Sequence, residues 1–170
     1  MFGKRILMAK AGAEGSRKRT VKEREKYIMS LVNQMTLDEK IGMIHGAGLF
    51  RTAGVPRLGI PELHMSDGPM GVRQEFVDND WKNVYDSDDT VTYLPSNSAI
   101  AATWNPKRAK ECGEVLGAEA RGRGKDVILA PGINIKRTQL CGRNFEYMSE
   151  DPYLVSEMTV PLIKGIQKAD

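Results

Sequence analysis

Tyr27, Ile28, Leu31, Val32 and Met35 recur at helical spacing with charges between them, which predicts an amphipathic helix over Val21 to Met35. Its apolar stripe needs a partner. Thr36 and Glu39 then stand at capping-box spacing, the hydroxyl serving one free backbone N–H and the carboxylate reaching back to another. A short helix through Ile44 is expected, with Gly46 ending it. Residues 46–61 are rich in Gly and Pro, after which Glu62 to Ser66 reads as a short strand that delivers Asp67 and Gly68 at its C-terminal end.

From Gly68 to Tyr93 there is little periodicity, and the stretch exceeds the usual connection in a compact domain, so it is either disordered or a functional lid. Its place directly after a strand favours function. Asn105 is a helix cap followed by Pro106 at the first helical position, and Ala109, Cys112, Leu116 and Ala120 keep one apolar face until Gly122 and Gly124 stop it. A strand is expected at Asp126 to Ala130. After a second long polar loop Asp151 and Pro152 repeat the cap pair, and Leu154, Val155, Met158, Leu162, Ile163 and Ile166 form the apolar face of a last helix.

Strands alternating with helices, with the residues of interest just after strands, predict a parallel α/β architecture. A complete (β/α)8 barrel needs about 250 residues and eight such units. Two or three are visible here. The expectation is therefore the amino-terminal part of a TIM-like barrel, incomplete in this chain, or else a smaller α/β domain. At 170 residues, 41% hydrophobic and 28% charged, the chain has an ordinary globular composition with enough length for one core. No apolar run approaches the roughly 18 residues of a membrane span, and Ile6 to Ala9 is too short for a signal-peptide core. The chain as given reads as soluble and unprocessed, its compartment undetermined.

Charge sharpens the picture at one end. Residues 1–26 hold nine Lys or Arg against three Glu, so the net charge of +3 conceals an acidic remainder. Residues 1–20 are read as a basic flexible tail and 21–170 as a partial barrel domain. The tail has almost no aromatic residues for base stacking, and no nucleic-acid partner is expected. Cys112 and Cys141 lack C-x-x-C spacing and a nearby His cluster, which argues against a metal site or redox pair and for two reduced, buried thiols. No cofactor and no metal are expected. Gly122-Arg123-Gly124-Lys125 is not a phosphate loop, because position 119 is Glu where Gly is required and the segment runs from helix into strand. His45 and His64 have no carboxylate or serine at triad spacing and are read as structural.

The candidate chemistry sits in two loops. Met65-Ser66-Asp67-Gly68-Pro69-Met70-Gly71-Val72-Arg73 sets a carboxylate and a guanidinium six residues apart. A carboxylate can accept two adjacent hydroxyl protons at once, which suits vicinal sugar hydroxyls, although Asp-Gly-Pro is also an ordinary turn. Gly142-Arg143-Asn144-Phe145-Glu146-Tyr147-Met148-Ser149-Glu150-Asp151-Pro152-Tyr153 is dense in charge and aromatics and follows the second strand. With Leu37-Asp38-Glu39-Lys40-Ile41 upstream and Ala101-Ala102-Thr103-Trp104-Asn105-Pro106 between, these segments resemble, in order, the amino-terminal barrel domain of family-three glycoside hydrolases, the β-glucosidase and β-xylosidase group. The likeness covers about residues 30–168.

The resemblance implies a retaining mechanism, in which an Asp nucleophile forms a glycosyl-enzyme intermediate and a Glu serves as acid and then base. Both, with the family's Lys-His pair and Ser-Asp-Trp segment, are expected beyond Asp170, leaving no catalytic residue in this chain and half of a pocket. By motif match the substrate-binding residues are Asp67, Arg73 and Arg143. The implied partner is a β-linked glucoside or xyloside, with no nucleic acid and no membrane, and the isolated chain is expected to be inactive. Asp80-Trp81 imitates the nucleophile dipeptide but precedes the G-R-N-F-E segment, the wrong chain order, so Asp80 is read as a loop carboxylate. Asp151 is read as a helix cap, and Glu146 and Glu150 as structural rather than as an acid/base pair. Met70 and Lys136 depart from the family pattern and bear on substrate preference. The alternative function is a non-catalytic binding or assembly module, since a partial barrel leaves strand faces and edges uncovered and calls for self-association or a complementing chain.

Overall fold

The computed structural model describes residues 19–77, 79–84 and 90–169. The basic tail therefore lies outside the described residues up to position 18. The chain forms two units, residues 1–63 and 64–170.

In the first unit, α1 (Val21–Gln34) begins at a reciprocal cap between Thr20 and Glu23. The Thr20 hydroxyl accepts the Glu23 N–H at 3.3 Å, and the Glu23 carboxylate accepts the Thr20 N–H at 2.8 Å. No residue of α1 is buried, so the apolar stripe at Tyr27 and Ile28 stays open to solvent. Helix α2 (Leu37–Met43) starts at the capping box read from Thr36 and Glu39. The Glu39 carboxylate also takes a two-pronged grip from Arg57, Nε to Oε1 at 2.6 Å and Nη2 to Oε2 at 2.5 Å. Arg57 stands on a 3-10 turn, Pro56–Leu58, and a second Nη2 bond to the Gln34 carbonyl at 2.7 Å ties that turn to the end of α1. Between them an antiparallel hairpin forms from β1 (Gly46–Gly48) and β2 (Arg51–Thr52). Small Gly and Ala side chains give no alternation there, so nothing in the sequence pattern announces these strands.

The second unit is organised by a parallel pair, β3 (Met65–Asp67) and β4 (Val127–Leu129), in the register Met65 to Val127, Ser66 to Ile128 and Asp67 to Leu129. Both strands are shorter than the sequence predicts, and Asp67 is the last residue of the first. Helices α3 (Asn97–Ala102) and α4 (Pro106–Gly122) lie between them in the chain, which makes a β–α–β unit of the kind that parallel pairing requires. The short α3, capped by the Ser96 hydroxyl on the Ala99 N–H at 3.2 Å, is absent from the sequence reading because six residues carry too little periodicity. Asn105 and Asp151 cap α4 and α5 (Pro152–Ile166) as expected, each with Pro at the first helical turn.

Helices α4 and α5 pack through glycine. A Cβ at Gly113 would meet the Leu162 carbonyl oxygen, one at Gly117 the Ile166 carbonyl and one at Gly165 the Lys110 carbonyl. The backbones approach where side chains are missing. Around this seam lie Ile100, Ala109, Met148, Leu154, Met158 and Leu162, while Val72, Leu94, Leu116 and Ala120 form a second cluster that Ile128 of β4 joins. Ser66 and Ile128 occupy one face of the strand pair, and the alternate positions Val127 and Leu129 are exposed. The architecture is thus mixed helix and strand with one parallel unit, and the described residues do not close a barrel.

Candidate functional site

Asp67 stands at the C-terminal end of β3, where an open parallel sheet presents ligands. The chain then turns back on itself through two glycines with φ of +130° at Gly68 and +142° at Gly71. Only glycine adopts these angles without strain, and a Cβ on either would strike backbone, the Gly71 carbonyl in one case and the Thr92 carbonyl in the other. The return brings Arg73 alongside its own strand. Its N–H donates to the Ser66 hydroxyl at 3.0 Å, and its guanidinium pairs with Asp67 Oδ2 at 2.9 Å.

The described parts of the long loop are pinned to the end of α4. Val72 is buried beside Leu116, the Leu94 N–H donates to the Met70 carbonyl at 2.8 Å, and the Thr92 N–H donates to Glu119 at 3.1 Å. Arg123 reaches the Thr90 carbonyl at 2.7 Å, and Lys125 pairs with Glu75 at 2.7 Å. The Gly-Arg-Gly-Lys segment rejected as a phosphate loop is therefore an anchor for the loop that carries Arg73.

Arg143 arrives from the second loop. Its Nε donates to the carboxylate of Glu146, one turn of 3-10 helix later at Asn144–Glu146. The Glu146 hydrogen bond, then its charge, hold the Arg143 guanidinium above its ordinary pKa, with smaller contributions from Tyr147 and from Asp67. The direct partners are thus Arg73 for Asp67 and Glu146 for Arg143. What holds that second loop is a polar brace on α3. Asn97, fully buried, donates to the Glu146 carbonyl at 2.8 Å and the Gly132 carbonyl at 3.3 Å. Ser98 donates to the Tyr147 carbonyl at 2.9 Å and accepts from Lys136 at 2.7 Å, and Lys136 also donates to the Met148 carbonyl at 3.3 Å. A carboxylate paired with a guanidinium, on backbone held from behind, can accept from and donate to adjacent hydroxyls.

The profile described as "Glycosyl hydrolase family 3 N terminal domain" matches residues 62–170. The chain belongs to glycoside hydrolase family 3. Among family 3 relatives it is 52% identical to beta-glucosidase BoGH3A of Bacteroides ovatus over 144 residues, which is 85% of this chain and 19% of that protein. It is 43% identical to thermostable beta-glucosidase B of Acetivibrio thermocellus, over 82% of this chain and 18% of the relative. Beta-glucosidase 3B of Thermotoga neapolitana, solved in complex with glucose, superposes with a TM-score of 0.73 at 38% identity, covering 84% of this chain and 21% of that one. The chain spans about a fifth of the length of these family 3 proteins.

The remaining candidates hold structural contacts. Asp80 accepts the Trp81 N–H at 2.7 Å and lies 3.3 Å from Lys82, a loop carboxylate as expected. Glu146 is buried against Arg143, and Asp151 accepts the Tyr153 N–H at 2.9 Å as a cap. His45 Nδ1 lies 2.9 Å from the Gly46 carbonyl. The cysteine expectation needs correction: Cys112 is partly buried, but Cys141 is exposed, because it sits in a stretch, 137–143, whose residues are all exposed. Burial, followed by the charge of Glu111, pushes the Cys112 thiol above its ordinary pKa. Among the described residues no three His, Cys, Asp or Glu side chains gather as a metal site, and no helix is long and apolar enough to cross a membrane. Sequence reasoning missed Asn97 and Ser98. Their only trace is a polar pair opening the otherwise apolar run Ala99-Ile100-Ala101-Ala102.

Proposed function

We propose that residues 21–170 form the amino-terminal portion of the TIM-like barrel of a retaining, exo-acting β-glycosidase, and that Asp67, Arg73 and Arg143 hold its terminal β-D-glucosyl or xylosyl residue. The observation that carries this reading is the pairing of Arg73 with Asp67 at 2.9 Å at the C-terminal end of β3. Asp67 accepts sugar hydroxyls, the two guanidinium groups donate to neighbouring oxygens, and the hydrogen bonds that brace their loops lower the ordering cost of binding. The named relatives that are β-glucosidases support the substrate class. In this reading the nucleophile and the acid/base lie outside the chain, and the 170-residue protein hydrolyses nothing.

Two assays test it. The pure chain, verified by intact mass, should leave an aryl β-glucoside untouched, and hydrolysis would overturn the division of labour. In the protein extended by its downstream coding sequence, Asp67→Ala should lower kcat/KM by on the order of 100-fold or more, since two hydrogen bonds to a charged group are lost at roughly 1.5–3 kcal/mol each. A change under threefold would remove Asp67 from the pocket.

The exposed face of β4 favours a second reading, a non-catalytic module that a second chain completes. Val127 and Leu129 retain 38% and 48% of their exposure, where a parallel strand is ordinarily covered on both faces.

A further inference from the structure

Beyond Arg73 the same loop carries two aromatic rings. The Val77 N–H donates to the Lys82 carbonyl at 2.8 Å and the Val84 N–H to the Glu75 carbonyl at 2.9 Å, and Phe76 bridges Asn83, so the segment pairs as a narrow hairpin. Near its tip Asn79 takes φ of +60°, the Asp80 N–H donates to the Val77 carbonyl at 3.0 Å, and the Asp80 carboxylate holds the Trp81 N–H. These bonds direct the indole back to Phe76, edge to face, with centroids 5.5 Å apart at 68°. The Arg73 guanidinium lies over both rings, 5.0 Å from each centroid. One cation therefore links Asp67 to a pair of aromatic rings, and Trp81 keeps 60% of its surface exposed.

We propose that Phe76 and Trp81 form a stacking platform for a second pyranose ring, the one β-linked to the sugar held at Asp67. The inference rests on the reading of Asp67, Arg73 and Arg143 as sugar-holding residues. A β-linked glucose ring turns its hydroxyls to the rim and its C–H groups to the faces, and those weakly positive hydrogens match the negative face of an aromatic ring. An indole fixed by backbone bonds and a stacked cation has already lost its rotamer freedom, so stacking costs little ordering. The rings stand one guanidinium away from Asp67, the relation expected between neighbouring rings of a disaccharide. A hairpin that merely closes the loop would leave no reason for the cation on Asp67 to stack on the more exposed of its two rings.

The experiment titrates the full 170-residue chain, labelled with nitrogen-15, with glucose and with cellobiose, following the arginine Nε–H signals and the indoles of Trp81 and Trp104. Both indoles are exposed, so Trp104 serves as the control. Cellobiose should move the Trp81 indole saturably and bind tighter than glucose by on the order of 2- to 10-fold, while Trp104 stays still. Trp81→Ala should erase the preference for cellobiose and leave glucose affinity within twofold, and Trp81→Phe should keep part of the preference. Equal affinity for the two sugars in the parent chain, or equal weakening of both by Trp81→Ala and Trp81→Phe, overturns the platform and leaves the Asp67 reading standing. If neither sugar moves the Arg73 and Arg143 signals, the platform and the reading on which it rests both fail.

Discussion

Glu39 shows how much one side chain does in this protein. It closes the cap of α2 and receives Arg57, and the Arg57 hydrogen bond, followed by the Thr36 backbone bond, lowers its pKa to about 2 from an ordinary 4.5. A carboxylate with a depressed folded pKa contributes stability that is complete above its unfolded pKa and is lost as pH falls toward the folded value. The melting temperature of the parent chain should therefore exceed that of Glu39→Gln by a constant margin above about pH 5, and the margin should shrink between about pH 4.5 and 2. A margin that does not change with pH would show that the charge plays no part. The thiols offer a second test: exposed Cys141 should take up a maleimide well before Cys112, whose burial disfavours the thiolate. Intact mass and peptide mapping after brief labelling decide the order. Cap residues such as Thr36, Asn105 and Asp151 were legible because their bonds run two or three residues along the chain. Asn97 was not, since its partners are the carbonyls of Gly132 and Glu146 and nothing near Asn97 names them.

At the scale of elements, α4 and α5 were readable from their apolar faces, but the way they meet was not. Gly113, Gly117 and Gly165 look like weaknesses in a helix, each losing about 1 kcal/mol against Ala on propensity alone. In the fold they are the places where the partner backbone passes. Gly117→Ala should therefore destabilise by about 1–3 kcal/mol, the cost of overpacking, and not gain the propensity difference. A denaturant midpoint equal to or above that of the parent would reject the close approach. Gly122, where an added Cβ meets nothing, is the control: Ala there should be neutral or slightly stabilising. The hairpin of β1 and β2 escaped the sequence for the opposite reason. Its pairing rests on backbone bonds between residues whose side chains carry no pattern.

For the whole molecule, the uncovered face of β4 and the open edges of a two-stranded parallel sheet predict association that rises with concentration. Size-exclusion chromatography across a concentration series, with thermal melting, should show it. A monodisperse monomer with a cooperative melt would mean that the chain protects these surfaces by itself. The sequence alone determined the existence and starts of α2, α4 and α5, the β–α–β order and family membership, through caps, periodicity and the ordered motifs around Asp67, Trp104 and Arg143. Each of those signals lies within a dozen or so neighbouring residues, where spacing along the chain equals spacing in the element. Only the tertiary structure decided that Arg73 pairs with Asp67, that Arg123 and Lys125 anchor the loop, and that Asn97 braces the turn behind Arg143. Those relations join positions that come together only when β3 and β4 pair, and a pairing register is set by which faces can be buried together, a property that neither strand carries in its own sequence.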